Sequence, residues 1–237
     1  MAARRTATKT NAKYSIFDIA GPIMVGPSSS HTAGACKIGQ IARALFHGTP
    51  EKVGFILHGS FATVFKGHAT DKALLAGVMK WKTSDDRMKN SFREAKKIGL
   101  RYKFKCENLG EIHHPNTVKI TFEKKGRKPM SVIGSSIGGG VVQIVKIDQF
   151  NVALHGVAGH FKTLVVWHNS KPGTRAPLYK AIKEKKIRIH DIQVTRVGER
   201  ALSIINMDGR RLKLPEVLEM EKLPGITDVR ALTALDK

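Results

Sequence analysis

The chain has 237 residues and a formal net charge of +22, from 41 lysines and arginines against 19 acidic residues. Hydrophobic residues make up 41%, which is enough for an ordinary core and argues against wholesale disorder. No apolar run approaches the roughly 18 residues that span a bilayer, so we expect a soluble globular protein. The positive charge is spread along the whole chain and aromatic residues are only 6%, which is not the concentrated pattern of a dedicated nucleic-acid reader.

Two cysteines, Cys36 and Cys106, are the only thiols of the sequence. They form no CxxC pair, no zinc-type spacing and no disulfide framework, and we predict no metal site in this chain. Two thiols also cannot supply the three or four thiolates that an iron–sulfur cluster usually takes. The cysteine usage indicates a reducing compartment, and we predict a cytoplasmic location.

Composition and the spacing of hydrophobic residues predict the elements of the first 155 residues. Residues 1–13 carry four basic and no acidic side chains and are predicted to be a disordered basic tail. Helical spacing predicts helices over residues 31 to 46, 71–82 and 85–98, with a strand over 53–58 between the first two. From Leu100 the period changes to two, which predicts several short strands. This part is therefore predicted to be an α+β domain covering 14–155.

A second domain is predicted over 161–237, after a boundary at Gly156–His160. Its elements are predicted in the order strand, helix, strand, strand, helix, strand, over residues 163–168, 174–186, 187–196, 200–207, 215–222 and 226–233. This βαββαβ order within about 70 residues is the split-βαβ, ferredoxin-like layout. The predicted fold class is thus α+β with two domains.

The densest polar segment is Gly26-Pro27-Ser28-Ser29-Ser30-His31-Thr32, which directly precedes the first predicted helix. The first backbone N–H groups of a helix have no partner within the helix, so such a segment can bind a carboxylate or phosphate. It lacks the Gly-Lys-Ser/Thr ending of a nucleotide-binding loop. A simple helix cap explains the serines equally well on spacing alone.

Three further polar segments are candidates for chemistry. Gly59–Thr63 and Lys66–Asp71 precede the second predicted helix and bring a lysine and a histidine that can act in proton transfer, although a capped surface loop is also compatible. His113–Thr117 contains adjacent histidines, which favour a metal only weakly because neighbours in an extended segment point to opposite sides. Ser135–Gly140 is a glycine run that requires unusual backbone angles or a close approach, or forms a plain sharp turn.

Taken in order, FDIAGPIMVGPSSSHTAGACKIGQIARALF, GSFAT with KGHATD, HPNT and SIGGG make the chain resemble the beta subunit of iron–sulfur-dependent bacterial L-serine dehydratase. The resemblance runs from Tyr14 to nearly the C-terminus, and the last domain resembles an ACT domain. It implies a lyase subunit that is inactive alone and deaminates L-serine to pyruvate and ammonia. It also implies an alpha-subunit partner that holds a [4Fe–4S] cluster, and a homodimer through the ACT domain.

The resemblance carries over onto individual residues of this sequence. It implies proton transfer by His68 or His31 with Lys66 beside them, and substrate binding by Ser28, Ser29, Ser30, Thr32, Thr70, Asp71, Asn116 and Thr117. For the ACT domain it implies effector binding at Asn169, Lys171, Pro172 and Gly173. Ala69 departs from the family's KGHGTD string, and a left-handed backbone there would strain an alanine by about 1 kcal/mol.

Two other functions remain open from the sequence. The net charge of +22 is compatible with a paralogue that contacts RNA phosphates in a larger assembly, through diffuse rather than localised basic charge. The first domain also resembles the substrate-sensing domain of some phosphoglycerate dehydrogenases, which is compatible with a non-catalytic, amino-acid-sensing ACT protein.

Overall fold

The computed structural model of the chain describes residues 23–156 and 162–232. The predicted basic tail and most of the predicted boundary at Gly156–His160 lie outside these ranges, as does the predicted end of the last strand at Thr233. Within the described ranges the longest helix has 11 residues, and no helix has the length and hydropathy of a membrane span.

The first part of the chain contains four helices and six strands. The helices are α1 (Ala35–Leu45), α2 (Gly59–Val64), α3 (Thr70–Val78) and α4 (Ser91–Lys97). A π-helical turn (Ser29–Gly34) runs into α1, and a 3₁₀ turn (Asp86–Asn90) runs into α4. The strands are β1 (Lys52–His58), β2 (Arg101–Cys106), β3 (Thr117–Glu123), β4 (Met130–Gly138), β5 (Val141–Ile147) and β6 (Phe150–Gly156).

These six strands form one sheet in the order β2-β1-β3-β4-β5-β6. Only β1 and β2 are parallel, and the other neighbours run antiparallel. Alternate residues of β1, including Phe55 and Leu57, are fully buried in one core with the apolar residues of α1 and α3. Such one-sided burial is the physical reason for the two-residue period in the sequence.

Helices α1 and α3 approach each other unusually closely at two glycines. A Cβ built on Gly39 would lie 2.5 Å from the Leu74 carbonyl oxygen, and one built on Gly77 would overlap the backbone carbonyl of Cys36. Side chains at these positions would force the helices apart, so the glycines set the distance between them. This packing fixes where α1 begins relative to α3.

The second part of the chain contains four strands and two helices. They follow in the order β7 (Lys162–Asn169), α5 (Ala176–Glu184), β8 (Arg188–Val197), β9 (Arg200–Asp208), α6 (Leu214–Glu221) and β10 (Ile226–Leu232). The strands form a sheet in the order β10-β7-β9-β8 in which all neighbours are antiparallel. The chain is thus mixed α+β with two sheets, as predicted.

Both faces of the four-stranded sheet are covered. Leu164 and Val166 of β7 pack in a cluster with residues of α5 and α6, whereas Val165 belongs to the core of the six-stranded sheet. Ile204 and Leu232 join Val165 in that larger core. The two sheets therefore share apolar contacts, and the first part of the chain covers the face that α5 and α6 leave open.

Several local predictions needed correction. The helix predicted over 71–82 ends at Val78, because Lys80 has a left-handed backbone with φ of 65°. The helix predicted over 85–98 begins as the 3₁₀ turn, in which Asp85 accepts a hydrogen bond from the Arg87 N–H. Strand β4 and helix α2 were not predicted, because the serine- and glycine-rich sequences Ser135–Gly140 and Gly59–Thr63 resemble loops.

Candidate active site

The polar segment before α1 folds into a π-helical turn around the His31 imidazole. Ser28 caps the turn, since its Oγ accepts a hydrogen bond from the His31 N–H at 3.1 Å. The Ser30 Oγ lies 3.0 Å from His31 Nδ1 and 3.3 Å from the Ser28 Oγ. The hydroxyls of Ser28 and Ser30 therefore meet at one edge of a single histidine ring.

The second polar segment supplies the other neighbours of His31. The Ser60 Oγ, in the first turn of α2, lies 2.9 Å from His31 Nε2. The His68 ring lies 5.0 Å from the His31 ring between centroids, and the buried Phe61 ring stands edge-on at 5.4 Å. Residues some 30 to 40 positions apart in the sequence are thus assembled into a pair of imidazoles flanked by hydroxyls.

The two segments are tied together by the fully buried Thr32. Its hydroxyl donates to the His68 carbonyl oxygen at 2.9 Å. A Cβ built on Gly26 would lie 2.6 Å from Thr32 Cγ2, so the chain before the turn needs a glycine in order to pass this side chain. Thr32 thereby fixes the distance between the two histidine-bearing segments.

Strand β3 begins beside the site. The Thr117 hydroxyl donates to the His114 carbonyl at 2.5 Å and lies 2.7 Å from the Ser135 Oγ. The Asn116 carbonyl accepts from the Ser136 N–H at 2.9 Å, and the neighbouring Pro115 carbonyl accepts from the Phe61 N–H at 3.4 Å. The His113–Thr117 segment therefore supports the start of α2, which carries Ser60.

The start of α3 is buried behind the histidines. Thr70 is fully buried, and its Oγ1 has no hydrogen-bond partner among the described residues. Asp71 is buried with one carboxylate oxygen accepting from the Lys72 N–H at 2.8 Å. Lys66 is exposed, with its Nζ 5.8 Å from the centroid of the Phe65 ring.

Burial sets the protonation of the site. Burial, assisted by the charge of the neighbouring His68, lowers the pKa of His31, so its imidazole is neutral near pH 7. Burial raises the pKa of Asp71, although the Lys72 N–H and the charges of Lys72 and Lys66 oppose that shift. A neutral imidazole is a competent proton acceptor, which is the chemical capacity of this arrangement.

The turn is a less open anion cradle than the sequence indicated. The His31 N–H is bonded to the Ser28 hydroxyl, and the Thr32 and Ala33 N–H groups are bonded to the Ser28 carbonyl. These three backbone N–H groups are therefore not available to a bound anion. The structure confirms the helix cap, which Ser28 forms, and anion binding stays a prediction.

Of the sequence-predicted residues, the structure brings most into one region of the fold. The π-helical turn and its cap hold Ser28, Ser29, Ser30, His31 and Thr32, the turn between α2 and α3 holds His68, and the start of α3 holds Thr70 and Asp71. Asn116 and Thr117 lie at the adjoining start of β3, and Lys66 lies exposed between α2 and α3. The predicted effector residues belong instead to the other sheet.

That second location is a cavity of about 450 Å³ beside the start of α5. Lys171, Pro172 and Gly173 line it together with the cations Arg175 and Arg196. Asn169 does not line it, but its Oδ1 accepts from the Lys171 N–H at 3.2 Å and from the Thr174 hydroxyl at 2.5 Å. Asn169 therefore shapes the loop that forms the cavity wall.

The two thiols do not fit an iron–sulfur cluster in this chain. Cys36 is buried in α1, where its Sγ contacts the Trp81 carbonyl, and Cys106 is exposed on β2. Elsewhere, ligand atoms of His47, Glu221 and Asp228 lie within 4.8 Å of one another. The Arg230 guanidinium lies among them and pairs with both carboxylates, at 2.7 and 2.6 Å.

Sequence reasoning missed three side chains of the site. Ser60 and Phe61 contact His31 directly, and Ser136 is fully buried against Gly34 with no hydrogen-bond partner for its Oγ among the described residues. All three lie inside segments that the sequence analysis named as candidates. Their position within a motif was therefore the signal that could have identified them. Which residues of a motif face the histidine depends on α2, which was not predicted.

Comparison with known proteins gives consistent matches. The family model for the serine dehydratase beta chain matches residues 15–146. The L-serine dehydratase beta chain of Peptoniphilus asaccharolyticus is 52% identical over 143 residues, which cover 60% of this chain and 64% of that protein, just under two thirds of its length. The probable L-serine dehydratase beta chain of Bacillus subtilis (strain 168) is 39% identical over 221 residues, 92% of this chain and 97% of that one.

A third relative matches a shorter segment. The L-serine dehydratase of Helicobacter pylori (strain J99) is 44% identical over 70 residues, which cover 28% of this chain and 15% of that protein. The family model spans more than half of the chain, and the Bacillus relative aligns along almost all of it. The chain therefore belongs to the serine dehydratase beta-chain family.

Proposed function

We propose that this chain is the β subunit of an enzyme that deaminates L-serine to pyruvate and ammonia together with a separate α subunit. The observation that carries the proposal is the pair of imidazoles, His31 and His68, 5.0 Å apart within a group of serine hydroxyls. The two histidines come from the two most distinctive sequence motifs of a chain that belongs to this family. A proton acceptor beside hydroxyl donors is what an α-amino acid losing its α-proton requires.

In this proposal the chain's own residues have two tasks. His31 or His68 accepts the α-proton, with the exposed Lys66 adding positive charge nearby. Burial lowers the pKa of His31, so its imidazole is neutral near pH 7, and both of its ring nitrogens face serine hydroxyls. The Ser28 hydroxyl orients the substrate carboxylate, with Ser29, Ser30, Thr32, Thr70, Asp71, Asn116 and Thr117 completing or supporting the site.

The proposed enzyme needs an iron–sulfur cluster, and the thiols of this chain decide which subunit holds it. Because Cys36 is buried in the core and Cys106 lies on β2, this chain does not supply the thiolates for a [4Fe–4S] cluster. We propose that the α subunit holds the cluster and that the β chain alone is inactive. No step of the proposed roles of His31 and His68 depends on the cluster.

The test is co-expression of the chain with its α partner under anaerobic conditions, followed by measurement of pyruvate formed from L-serine. We expect activity from the complex and none from the β chain alone. Replacing His31 or His68 by alanine should lower kcat by about 100-fold or more. The matched control is His190→Ala on β8, which removes an exposed histidine and should leave kcat unchanged.

Wild-type kcat in both His31→Ala and His68→Ala would contradict the assigned roles. An inactive complex with intact cluster would contradict the proposed reaction itself. The RNA-assembly alternative depends only on the net charge of +22, and none of the relatives above favours it.

We further propose that the four-stranded sheet with α5 and α6 is an ACT domain that binds a small effector and pairs with a second copy. The cavity lined by Lys171, Pro172 and Gly173 beside the Asn169 loop supports this proposal. Isothermal titration of the full chain with serine and a panel of other amino acids tests it. Binding that is lost in Lys171→Ala supports the effector site, whereas no heat across the panel contradicts it.

A further inference from the structure

Both ring nitrogens of His31 are within hydrogen-bonding distance of serine hydroxyls from different parts of the chain. Nδ1 lies 3.0 Å from the Ser30 Oγ, and Nε2 lies 2.9 Å from the Ser60 Oγ. A neutral imidazole carries one N–H donor and one acceptor nitrogen. One of the two serines therefore donates to the ring and the other accepts from it.

The number of hydroxyls at each ring nitrogen favours one direction. Two hydroxyls face Nδ1, those of Ser30 at 3.0 Å and Ser28 at 3.5 Å, whereas the Ser60 hydroxyl faces Nε2. With Nδ1 as the acceptor nitrogen, the nearer hydroxyl, that of Ser30, donates to it. The proton of the ring then lies on Nε2, from which it is donated to the Ser60 Oγ.

We infer that Ser60 is a positioning residue for His31, holding its ring in the Nε2–H tautomer by accepting from Nε2 while the Ser30 hydroxyl donates to Nδ1. The inference rests on the proposed function for its effect on activity, but its effect on the tautomer is independent of any reaction. Among the described residues, the Ser60 hydroxyl has no hydrogen-bond partner other than His31 Nε2.

The backbone around Ser60 supports such a role. Gly59 has a left-handed φ of 55°, and a Cβ there would lie 2.6 Å from the Pro115 carbonyl oxygen. The following Phe61 is fully buried and stands edge-on to the His31 ring. Ser60 is therefore fixed between a close backbone contact and a buried aromatic ring, and such support is what holds a functional histidine in one orientation.

The first measurement reads the tautomer directly. The full chain is labelled with ¹⁵N-histidine, and the ring nitrogens of His31, assigned through the His31→Ala spectrum, are compared between wild type, Ser60→Ala and Ser60→Thr. We expect a protonated Nε2 and an unprotonated Nδ1 in the wild type and in Ser60→Thr, which keeps the hydroxyl. In Ser60→Ala we expect the chemical shifts of the two nitrogens to move towards the average of the two tautomers.

The second measurement is kcat of the complex with the α subunit, over a range of pH. Ser60→Ala should lower kcat by about 10- to 100-fold with little change in KM, as for other residues that orient a functional histidine. Ser60→Thr should recover most of the loss. The matched control is Thr63→Ala, which removes a hydroxyl from the same helix that bonds only the Gly59 carbonyl, and it should behave as wild type.

Unchanged His31 nitrogen shifts in Ser60→Ala, or a wild-type Nδ1–H tautomer, would overturn the inference even if the complex deaminates serine. Unchanged kcat in Ser60→Ala in an active complex would overturn it as well. If the shifts move as expected while the wild-type complex forms no pyruvate, the proposed function fails and the positioning of His31 by Ser60 stands.

Discussion

The polar groups beside the two sheets of this chain differ in how deeply they are buried. Around His31, hydroxyls and imidazoles are half-buried and bond mainly to one another, in a frame of buried apolar residues and closely packed helices. Around the cavity beside α5, the charged groups Lys171 and Arg196 are exposed on a loop and an edge strand. Geometry is therefore fixed by packing in the first region and by solvent-exposed loops in the second.

The two regions should therefore be disturbed by different substitutions. A change in the helix packing under the π-helical turn should move the histidines, whereas a change in the second sheet should leave them in place. Arg230 is the exception, because it connects β10 to His47 of the first region and to the carboxylates of Glu221 and Asp228.

The largest effect should come from Gly77→Ala. A Cβ there would overlap the backbone of Cys36 and lie 2.9 Å from the Gln40 N, so α1 and α3 must separate. We expect a loss of about 3 kcal/mol in the free energy of unfolding, measured by urea denaturation. Gly54→Ala on β1 is the control, since its Cβ would meet no atom within 4 Å. Equal stability of the two variants would contradict close helix packing as the support of the site.

Arg230→Ala should destabilise the cluster in which β10 contacts α6 and His47 of the first region. It leaves the Glu221 and Asp228 carboxylates without their guanidinium partner, and the Arg230 side chain is only 12% exposed. We expect a loss of about 2 kcal/mol in the free energy of unfolding. Arg210→Ala, which breaks an exposed pair with Glu216, is the control and should cost less. An unchanged free energy of unfolding in Arg230→Ala would contradict a stabilising role of this cluster.

The same cluster predicts a pH dependence of stability. Burial raises the pKa of Asp228 to about 6, with Arg230 opposing the shift and Glu221 adding to it. Because the folded state then binds a proton more readily than the unfolded state, stability should fall as the pH rises from about 4 to 6. We expect a change of about 1 kcal/mol, since part of the side chain is exposed to solvent.

The comparison variant for that pH dependence is Asp228→Asn, which cannot ionise. Urea unfolding of both proteins between pH 4 and 7 should show a stability difference that changes across this window. A constant difference over the whole range would contradict the raised pKa.

The smallest expected effect belongs to Ala69→Gly. Ala69 lies between His68 and α3 with φ of 55° and ψ of 28°, the left-handed conformation that costs an alanine about 1 kcal/mol. The glycine variant should therefore gain about 1 kcal/mol in the free energy of unfolding. Ala62→Gly in α2 is the control of opposite sign, because glycine costs about 1 kcal/mol within a helix. A destabilised Ala69→Gly would show that the strain is relieved elsewhere.

The sequence by itself determined the α+β class, the order of the elements in the second part of the chain and the segments that carry the site. Those properties depend on hydrophobic period and on turn residues, which are local, and they hold for β1 and for all six elements from β7 to β10. The sequence also indicated a left-handed backbone at position 69, because alanine stands there in place of the family's glycine.

Only the tertiary structure decided which polar groups meet. The contacts of His31 with Ser60 and His68 join residues 29 and 37 positions away, and no local pattern encodes the register between a π-helical turn and α2. In the Ser135–Gly140 run the glycines have the predicted unusual backbone angles, with positive φ at Gly138, Gly139 and Gly140. The serines before them belong to β4, which was not predicted because it is specified by pairing with β3 and β5. Such contacts are set by packing across the whole core, and so they become visible only once the helices and the sheet are in place.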